Sequence, residues 1–374
     1  MEEVLDQIPT PCYVCEEHLL RRNLEILDEV QKRSGAKIIL ALKGFAMWST
    51  FGLVKRYLHG ATASGLWEAK LAFEELGKEV HTYSPAFKDD EFELIAKMSD
   101  HIVFNSLNQL RTFKKTALKH GCSIGIRVNP QTSAAPVDLY NPCAPFSRLG
   151  VTRENFVWDQ DLEGLHFHAL CEESAQSLQK VLQGFEERFG EFIPKCRWVN
   201  FGGGHHITKE GYDRELLIDL IKDFKARYGV EVYLEPGEAV GWQTGPLVAS
   251  VVDIVHNGID IAILDTSAEA HMPDVLAMPY RPQVRGANEP GKKPYTYRLG
   301  GNSCLAGDVI GDYSFDKPLQ IGQKIIFEDM IHYTFVKNTT FNGIRLPSLA
   351  LLKEDGRLEI VRRFDYCDYK HRLS

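Results

Sequence analysis

Residues 197–204 read Arg-Trp-Val-Asn-Phe-Gly-Gly-Gly, a short apolar strand that runs straight into three glycines. Downstream, Leu216, Leu220 and Phe224 recur at the spacing of a helix face, and an apolar strand returns at 230–235. Upstream, 164–169 is another such run, Gly-Leu-His-Phe-His-Ala. Carried outward, the same reading places further strands at 37–42, 60–64, 80–84, 101–105 and 123–128. Helical spacing at Leu20, Leu24 and Leu27, and at Leu66, Ala69, Phe73 and Leu76, fills intervals between them. Eight strands alternating with helices predict an α/β chain with a TIM-like (β/α)8 barrel over 16–240. A doubly wound open sheet is the alternative, but it has fewer strands as a rule and a Gly-rich first turn, which is missing after Leu42.

After Gly241 the texture changes. Strand-like runs at 247–255, 259–264, 295–299, 324–328 and 358–362 are separated by Gly, Pro and Asn, with little helical periodicity. A β-rich second domain is expected over 241–374, joined by the N-terminal strand 1–15. Residues 281–294, with three prolines, read as an exposed polar loop.

Composition excludes several classes. The 374 residues carry 43 basic and 51 acidic side chains, a net charge of −8, which argues against a nucleic-acid binder. No apolar run approaches the roughly 20 residues that span a bilayer, so no membrane partner is expected. The opening Met1-Glu2-Glu3-Val4-Leu5-Asp6 has no basic segment followed by an apolar core, so no signal peptide is expected and the protein reads as cytoplasmic. The eight cysteines are too sparse for a disulfide scaffold. Cys12 and Cys15 have no second pair at zinc-site spacing and read as buried thiols, and no metal is expected.

In a barrel enzyme the reacting groups collect past the carboxyl ends of the strands. Lys43 ends the first strand, Ser64 the second and Arg127 the fifth. The sixth carries His166 and His168, the seventh runs into Gly202, Gly203 and Gly204, and the eighth ends in Glu235. A lysine emerging into a partly dry mouth loses proton affinity and can condense with an aldehyde. Consecutive glycines let backbone N–H groups approach an anion. A carboxylate leaving a buried strand needs a cationic or N–H partner. His166 and His168, two apart on a strand, permit a zinc pair as in barrel hydrolases, or one ring stacked on a flat ligand beside a core histidine. His205 and His206 lack a carboxylate at helical spacing and do not read as a metal site. Cys304, in the Gly-rich loop 300–308, could donate a proton, although packing thiols are commoner.

Together these residues resemble the fold-type III pyridoxal-phosphate decarboxylases, the ornithine, diaminopimelate and arginine decarboxylase group. The resemblance runs in order from Pro11-Cys12-Tyr13-Val14 to Phe341-Asn342-Gly343. It is carried by Ala41-Leu42-Lys43, Gly164-Leu165-His166-Phe167-His168, Phe201-Gly202-Gly203-Gly204, Glu235-Pro236-Gly237, Cys304-x-x-Gly307-Asp308 and Asp329-Met330-x-x-Tyr333-Thr334. It implies an alanine racemase-like architecture, pyridoxal 5'-phosphate as cofactor, and a homodimer whose active sites are shared. At matching positions it implies that Lys43 binds the cofactor's aldehyde, His168 stacks on the ring and Glu235 pairs with the pyridine nitrogen. Ser64 and Arg127 join the cofactor site, the triglycine and Tyr333 hold the phosphate, and Cys304 and Asp308 come from the partner subunit. The short chain, Leu170-Cys171-Glu172 and Glu235-Pro236-Gly237-Glu238-Ala239 are similar to the branch acting on carboxylated polyamines. That branch converts carboxynorspermidine to norspermidine and carboxyspermidine to spermidine.

Two departures bear on the substrate. Glu238 stands where the family usually has a phosphate-contacting arginine, and Leu305 where many relatives have an acidic residue after the cysteine. Glu238 is therefore expected to turn away or to face a cationic substrate, and Asp274 is the candidate for gripping distal amines. Another basic amino acid or diaminopimelate decarboxylase is the rival enzyme reading, and an inactive regulatory relative is the rival outside catalysis.

Overall fold

The structure, a computed structural model, describes residues 1–133 and 141–374. The chain divides into two compact units, Arg22–Val240 and the pair of segments Met1–Arg21 and Gly241–Ser374. The N-terminal strand β1 (Cys12–Glu16) belongs to the second of these.

The first unit is a closed parallel barrel of β2 (Lys37–Ala41), β3 (Gly60–Ala63), β4 (Glu79–Tyr83), β5 (His101–Phe104), β6 (Ser123–Arg127), β7 (Gly164–His166), β8 (Trp198–Asn200) and β9 (Glu231–Leu234). Pairing of Lys37 with Tyr233 and of Ile38 with Leu234 closes the ring. Both faces of such strands are covered, which is why they read as continuous apolar runs rather than alternating ones. Large and small side chains interlock inside. Added Cβ atoms at Gly125 and Gly164 would lie 2.3 and 2.2 Å from the Trp198 indole, so the two glycines on β6 and β7 make room for that ring.

Helices follow the strands. Asp213 caps Arg214–Tyr228 by accepting the Leu216 N–H, and Gly229, at φ 70°, ends the helix in the left-handed region. The buried face is Leu217, Ile218, Ile221 and Phe224, so the predicted stripe through Leu216 and Leu220 is off by one position. The stripe through Phe73 also fails, for a clear reason. A π-helical turn at Ala72–Leu76 adds a residue to the helix Leu66–Leu71, rotating Ala72 inward and leaving Phe73 53% exposed.

The second unit is a mixed sheet built from β1, β10 (Leu247–His256), β11 (Asp260–Leu264), β12 (Tyr295–Gly300), β13 (Val309–Phe315), β14 (Lys324–Phe327), β15 (Ser348–Leu352) and β16 (Leu358–Arg362). Its order is β13-β12-β11-β10-β1-β15-β16, with β14 on β10. β1 runs parallel to β15 and antiparallel to β10, so the first strand of the chain sits mid-sheet. Cys12, Val14, Val248, Ile326 and Ala350 form the core there. Cys12 and Cys15 are free buried thiols, both pushed up to about 12 chiefly by burial.

Two strands, β13 and β15, escaped the sequence reading. The loop 281–294 is pinned rather than loose. Val284 bridges to Phe327 and is 4% exposed, Asn288 bridges to Ser314, and Arg285 pairs with Glu328 at 2.6 Å. No helix among the described residues is long and apolar enough to cross a membrane.

Candidate active site

Parallel strands in a closed barrel deliver their carboxyl ends to one rim. That geometry places Lys43, Ser64, Arg127, His168, the triglycine and Glu235 there, each just past or at the end of its strand. The Lys43 side chain reaches solvent, yet the surrounding mouth removes enough water to lower its amine below the ordinary lysine range. Burial is the main cause; Glu235 opposes the shift and Arg127 adds to it.

Glu235 is 6% exposed. Burial alone would raise its pKa, but His166, His81, Lys43 and a hydrogen bond from Asn200 outweigh that and hold it below the usual value. Asn200 Nδ2 donates to Glu235 Oε1 at 2.7 Å, and Asn200 Oδ1 accepts the Gly202 N–H at 2.8 Å. His166 Nε2 lies 3.7 Å from Glu235 Oε2, and burial pushes that imidazole down to about 4, so it is neutral at neutral pH. An ionised, buried carboxylate with one amide donor and a neutral imidazole beside it is a receptor for a cation.

The triglycine turn is sterically obligatory. Gly202 and Gly204 have φ of 71° and 83°, where a side chain is strained. A Cβ on Gly203 would come 2.5 Å from the Glu235 carbonyl oxygen and 3.1 Å from His168 Cε1. The Gly203 N–H donates to His168 Nδ1 at 2.8 Å, which leaves the proton of the neutral ring on Nε2. Burial, then Lys43, keeps His168 well below the ordinary histidine range. Arg127 donates to the His168 carbonyl at 3.1 Å while its guanidinium covers the Tyr83 ring at 4.8 Å. The exposed Ser64 gives its N–H to Glu68 Oε2 at 2.6 Å.

His166 and His168 do not form a metal pair. β7 ends at His166, and neither residue joins a group of three ligands among the described residues. The two groups that exist are Glu79, His81 and His101, and Glu172, His206 and Glu238. The two carboxylates of the second arrive from other βα loops and so lie outside the helical spacing at which none was found. Glu238 is half-buried and stands 3.8 Å from His206 Nε2. In the first group the His81 and His101 rings are stacked 4.0 Å apart and 10° from parallel, and both Nε2 atoms lie near Glu79 Oε1, at 2.6 and 3.4 Å.

The remaining candidates lie in the sheet unit. Cys304 is exposed, and its N–H donates to Asn342 Oδ1 at 2.7 Å. Asp308 is buried and committed internally. Its oxygens accept from Ser267 Oγ at 2.8 Å, Ala268 N at 2.7 Å and Ser303 N at 3.2 Å, which ties it to the cysteine loop. Both oxygens of Asp274 lie 2.8 Å from Lys337 Nζ, which neutralises the charge offered for distal amines. Tyr333 opens the short helix Tyr333–Val336, with Lys337 Nζ 5.3 Å from its ring centre. Sequence reasoning overlooked Asn200 and Glu172. The only signal for Asn200 was a polar residue at the end of an apolar strand, two residues before the first glycine.

Comparison with known proteins agrees with this geometry. Residues 12–331 match the family described as pyridoxal-dependent decarboxylase, C-terminal sheet domain. The chain is 56% identical over 380 residues to carboxynorspermidine/carboxyspermidine decarboxylase of Campylobacter jejuni, covering 98% of this chain and 99% of that one. It is 46% identical to carboxyaminopropylagmatine decarboxylase of Synechocystis, covering 99% and 97%. The crystal structure of the Campylobacter jejuni carboxynorspermidine decarboxylase complexed with norspermidine superimposes with a TM-score of 0.92 at 54% identity, over 98% of this chain and 100% of that one. The rim chemistry, the barrel-plus-sheet fold and this full-length likeness lead to one conclusion: the chain belongs to the pyridoxal-dependent decarboxylases, carboxy-lyases, in the branch that includes the carboxynorspermidine/carboxyspermidine decarboxylases.

Proposed function

We propose that the protein decarboxylates carboxynorspermidine to norspermidine and carboxyspermidine to spermidine, using pyridoxal 5'-phosphate at the barrel rim. The observation that carries this reading is 56% identity spread over essentially the whole of both chains.

The residues present fit the cofactor. Lys43 offers a desolvated amine for its aldehyde, and Glu235 offers a buried anion for its pyridine nitrogen. A turn in which any Cβ would collide offers backbone at close range to its phosphate. Ser64, Arg127 and Tyr333 complete the proposed cofactor set. When bound, pyridoxal phosphate supplies an electron sink for the pair released as carbon dioxide departs. Glu235 keeps a proton on the pyridine nitrogen, without which that sink weakens. His168, fixed by the Gly203 N–H, presents a neutral ring face to hold the flat ligand in place. The Cys304 thiol, on an exposed loop, is proposed to protonate the substrate carbon that loses the carboxylate, acting from the partner subunit of a homodimer. Of the acidic candidates, Glu238 is the strongest for substrate ammonium groups. Its carboxylate is half-buried and clusters with Glu172 and His206 on the loops that follow β7, β8 and β9.

The 46% relative gives a second reading, a carboxylated aminopropylagmatine as substrate. Initial rates of carbon dioxide release on purified, cofactor-loaded protein separate the readings. Carboxynorspermidine or carboxyspermidine should be turned over fastest. Faster turnover of carboxyaminopropylagmatine, diaminopimelate or ornithine would replace the substrate, and no turnover of any would revive the inactive-relative reading. The variant Lys43→Ala should lose the yellow colour of bound cofactor together with activity.

A further inference from the structure

His166 ends β7 with 1% of its surface exposed, and neither of its ring nitrogens has a hydrogen-bond partner. Buried polar atoms are rarely left so, because each forfeits its hydration without replacement. Packing holds the ring instead. Tyr83 meets it edge-on at 5.5 Å between centroids, and the Tyr83 hydroxyl is tethered in turn to Asn105 Oδ1 at 2.8 Å. The ring thus stays beside Glu235, with Nε2 3.7 Å from Oε2, while Asn200 occupies Oε1.

We propose that His166 is a positioning residue that, together with Asn200, clamps the Glu235 carboxylate and aims its charge at the pyridine nitrogen of the cofactor. This role rests on the cofactor reading above. Its logic lies in the neutrality of the ring. A lysine or arginine at this position would pair with Glu235 and consume the charge that the pyridine nitrogen needs. A neutral imidazole with Nε2 3.7 Å from Oε2 stands a short approach away from donating an N–H to it, and leaves the negative charge available to a third group. The unpartnered nitrogens are what such a clamp looks like when packing, not hydrogen bonding, sets its orientation. His168, two residues on, differs in kind, because its Nδ1 is already held by the Gly203 N–H.

Two variants test the role in the full-length protein, each titrated with pyridoxal phosphate by fluorescence quenching and then assayed for kcat and KM separately. His166→Leu removes the donor and His166→Gln retains one. Loss of an outer-shell partner typically costs about 10–100-fold, so H166L should lose that much in kcat and cofactor affinity, with KM changed by less than about threefold. H166Q should recover most of both. An H166L protein with wild-type kcat and cofactor affinity would overturn the proposal, and so would an H166Q protein as impaired as H166L. If H166L is insoluble, His166→Ala carries the same comparison. Wild-type protein that takes up no pyridoxal phosphate would instead overturn the cofactor reading itself.

Discussion

Asn200 joins two parts of the rim that are far apart in sequence: its Nδ2 holds Glu235 Oε1 at 2.7 Å, and its Oδ1 holds the Gly202 N–H at 2.8 Å. The side chain is fully buried, so both bonds form where water cannot substitute. Replacing it by alanine leaves a carboxylate oxygen and a backbone donor unpaired. At about 1–3 kcal/mol for each unsatisfied group, Asn200→Ala should lower unfolding free energy by roughly 2–6 kcal/mol, read by urea denaturation. A loss below about 1 kcal/mol would mean that the turn and the carboxylate are held by other groups.

Gly203→Ala tests the turn. The new Cβ would press on the Glu235 carbonyl and on His168, both fixed by the barrel. Overpacking of this kind costs about 1–3 kcal/mol. The expected result is a lowered melting temperature and cofactor affinity weakened by at least about tenfold, because the displaced atoms belong to the site itself. Unchanged affinity would show that the cradle has slack.

Glu238→Gln and Asp274→Ala should separate two acidic candidates. The Asp274 carboxylate is neutralised by Lys337, whereas Glu238 faces Glu172 and His206. KM for carboxynorspermidine should rise about tenfold or more in E238Q, the equivalent of one charge-assisted contact, and change little in D274A. The reverse pattern would assign the amine to Asp274.

Cys304→Ala should slow product release from the chemical step and divert turnover. Without a thiol to place the proton on the substrate carbon, protonation on the cofactor side gives an aldehyde and an aminated cofactor. The aldehyde fraction, measured by mass spectrometry of the products, should increase at least several-fold. An unaltered product ratio removes Cys304 as the proton donor.

Stability should fall in mild acid. Burial holds His166, His205 and His271 near 4, against 6.5 for a free imidazole. Below about 6.5 the unfolded chain takes up protons that the folded chain refuses, so stability is fully present above that pH and drains away as pH drops toward 4. Melting temperature, recorded by circular dichroism from pH 7.5 to 4.5, should decline steadily over that window. A flat profile down to pH 5 would show that the three rings are protonated in the folded state.

Much of the barrel was legible because its strands are covered on both faces. Ile38-Ile39-Leu40-Ala41 is apolar without interruption, the other strands are short and mostly buried, and all eight recur at intervals a helix can fill. The sheet unit was harder. β13, Val-Ile-Gly-Asp-Tyr-Ser-Phe, mixes half-buried and buried positions around a glycine, and β15 follows a proline, so neither shows a clean period. Helix faces went astray where one residue of register was hidden, as at the π-turn that turns Phe73 outward.

The sequence by itself determined which residue types stand at the strand ends: an amine, three glycines, two alternate histidines and a carboxylate. That followed from strand periodicity, which is local. Tertiary structure alone decided what those groups do to one another. Glu235 is held below the usual carboxylate range by His166, His81 and Lys43 from other strands, with Asn200, 35 residues away, donating to its oxygen. His168 keeps one tautomer because Gly203 donates to it, also 35 residues away. Asp274 pairs with Lys337, 63 residues on, and Glu238 lies with Glu172 and His206 from separate loops. Charge, tautomer and desolvation depend on distances across the rim, and barrel closure sets those distances.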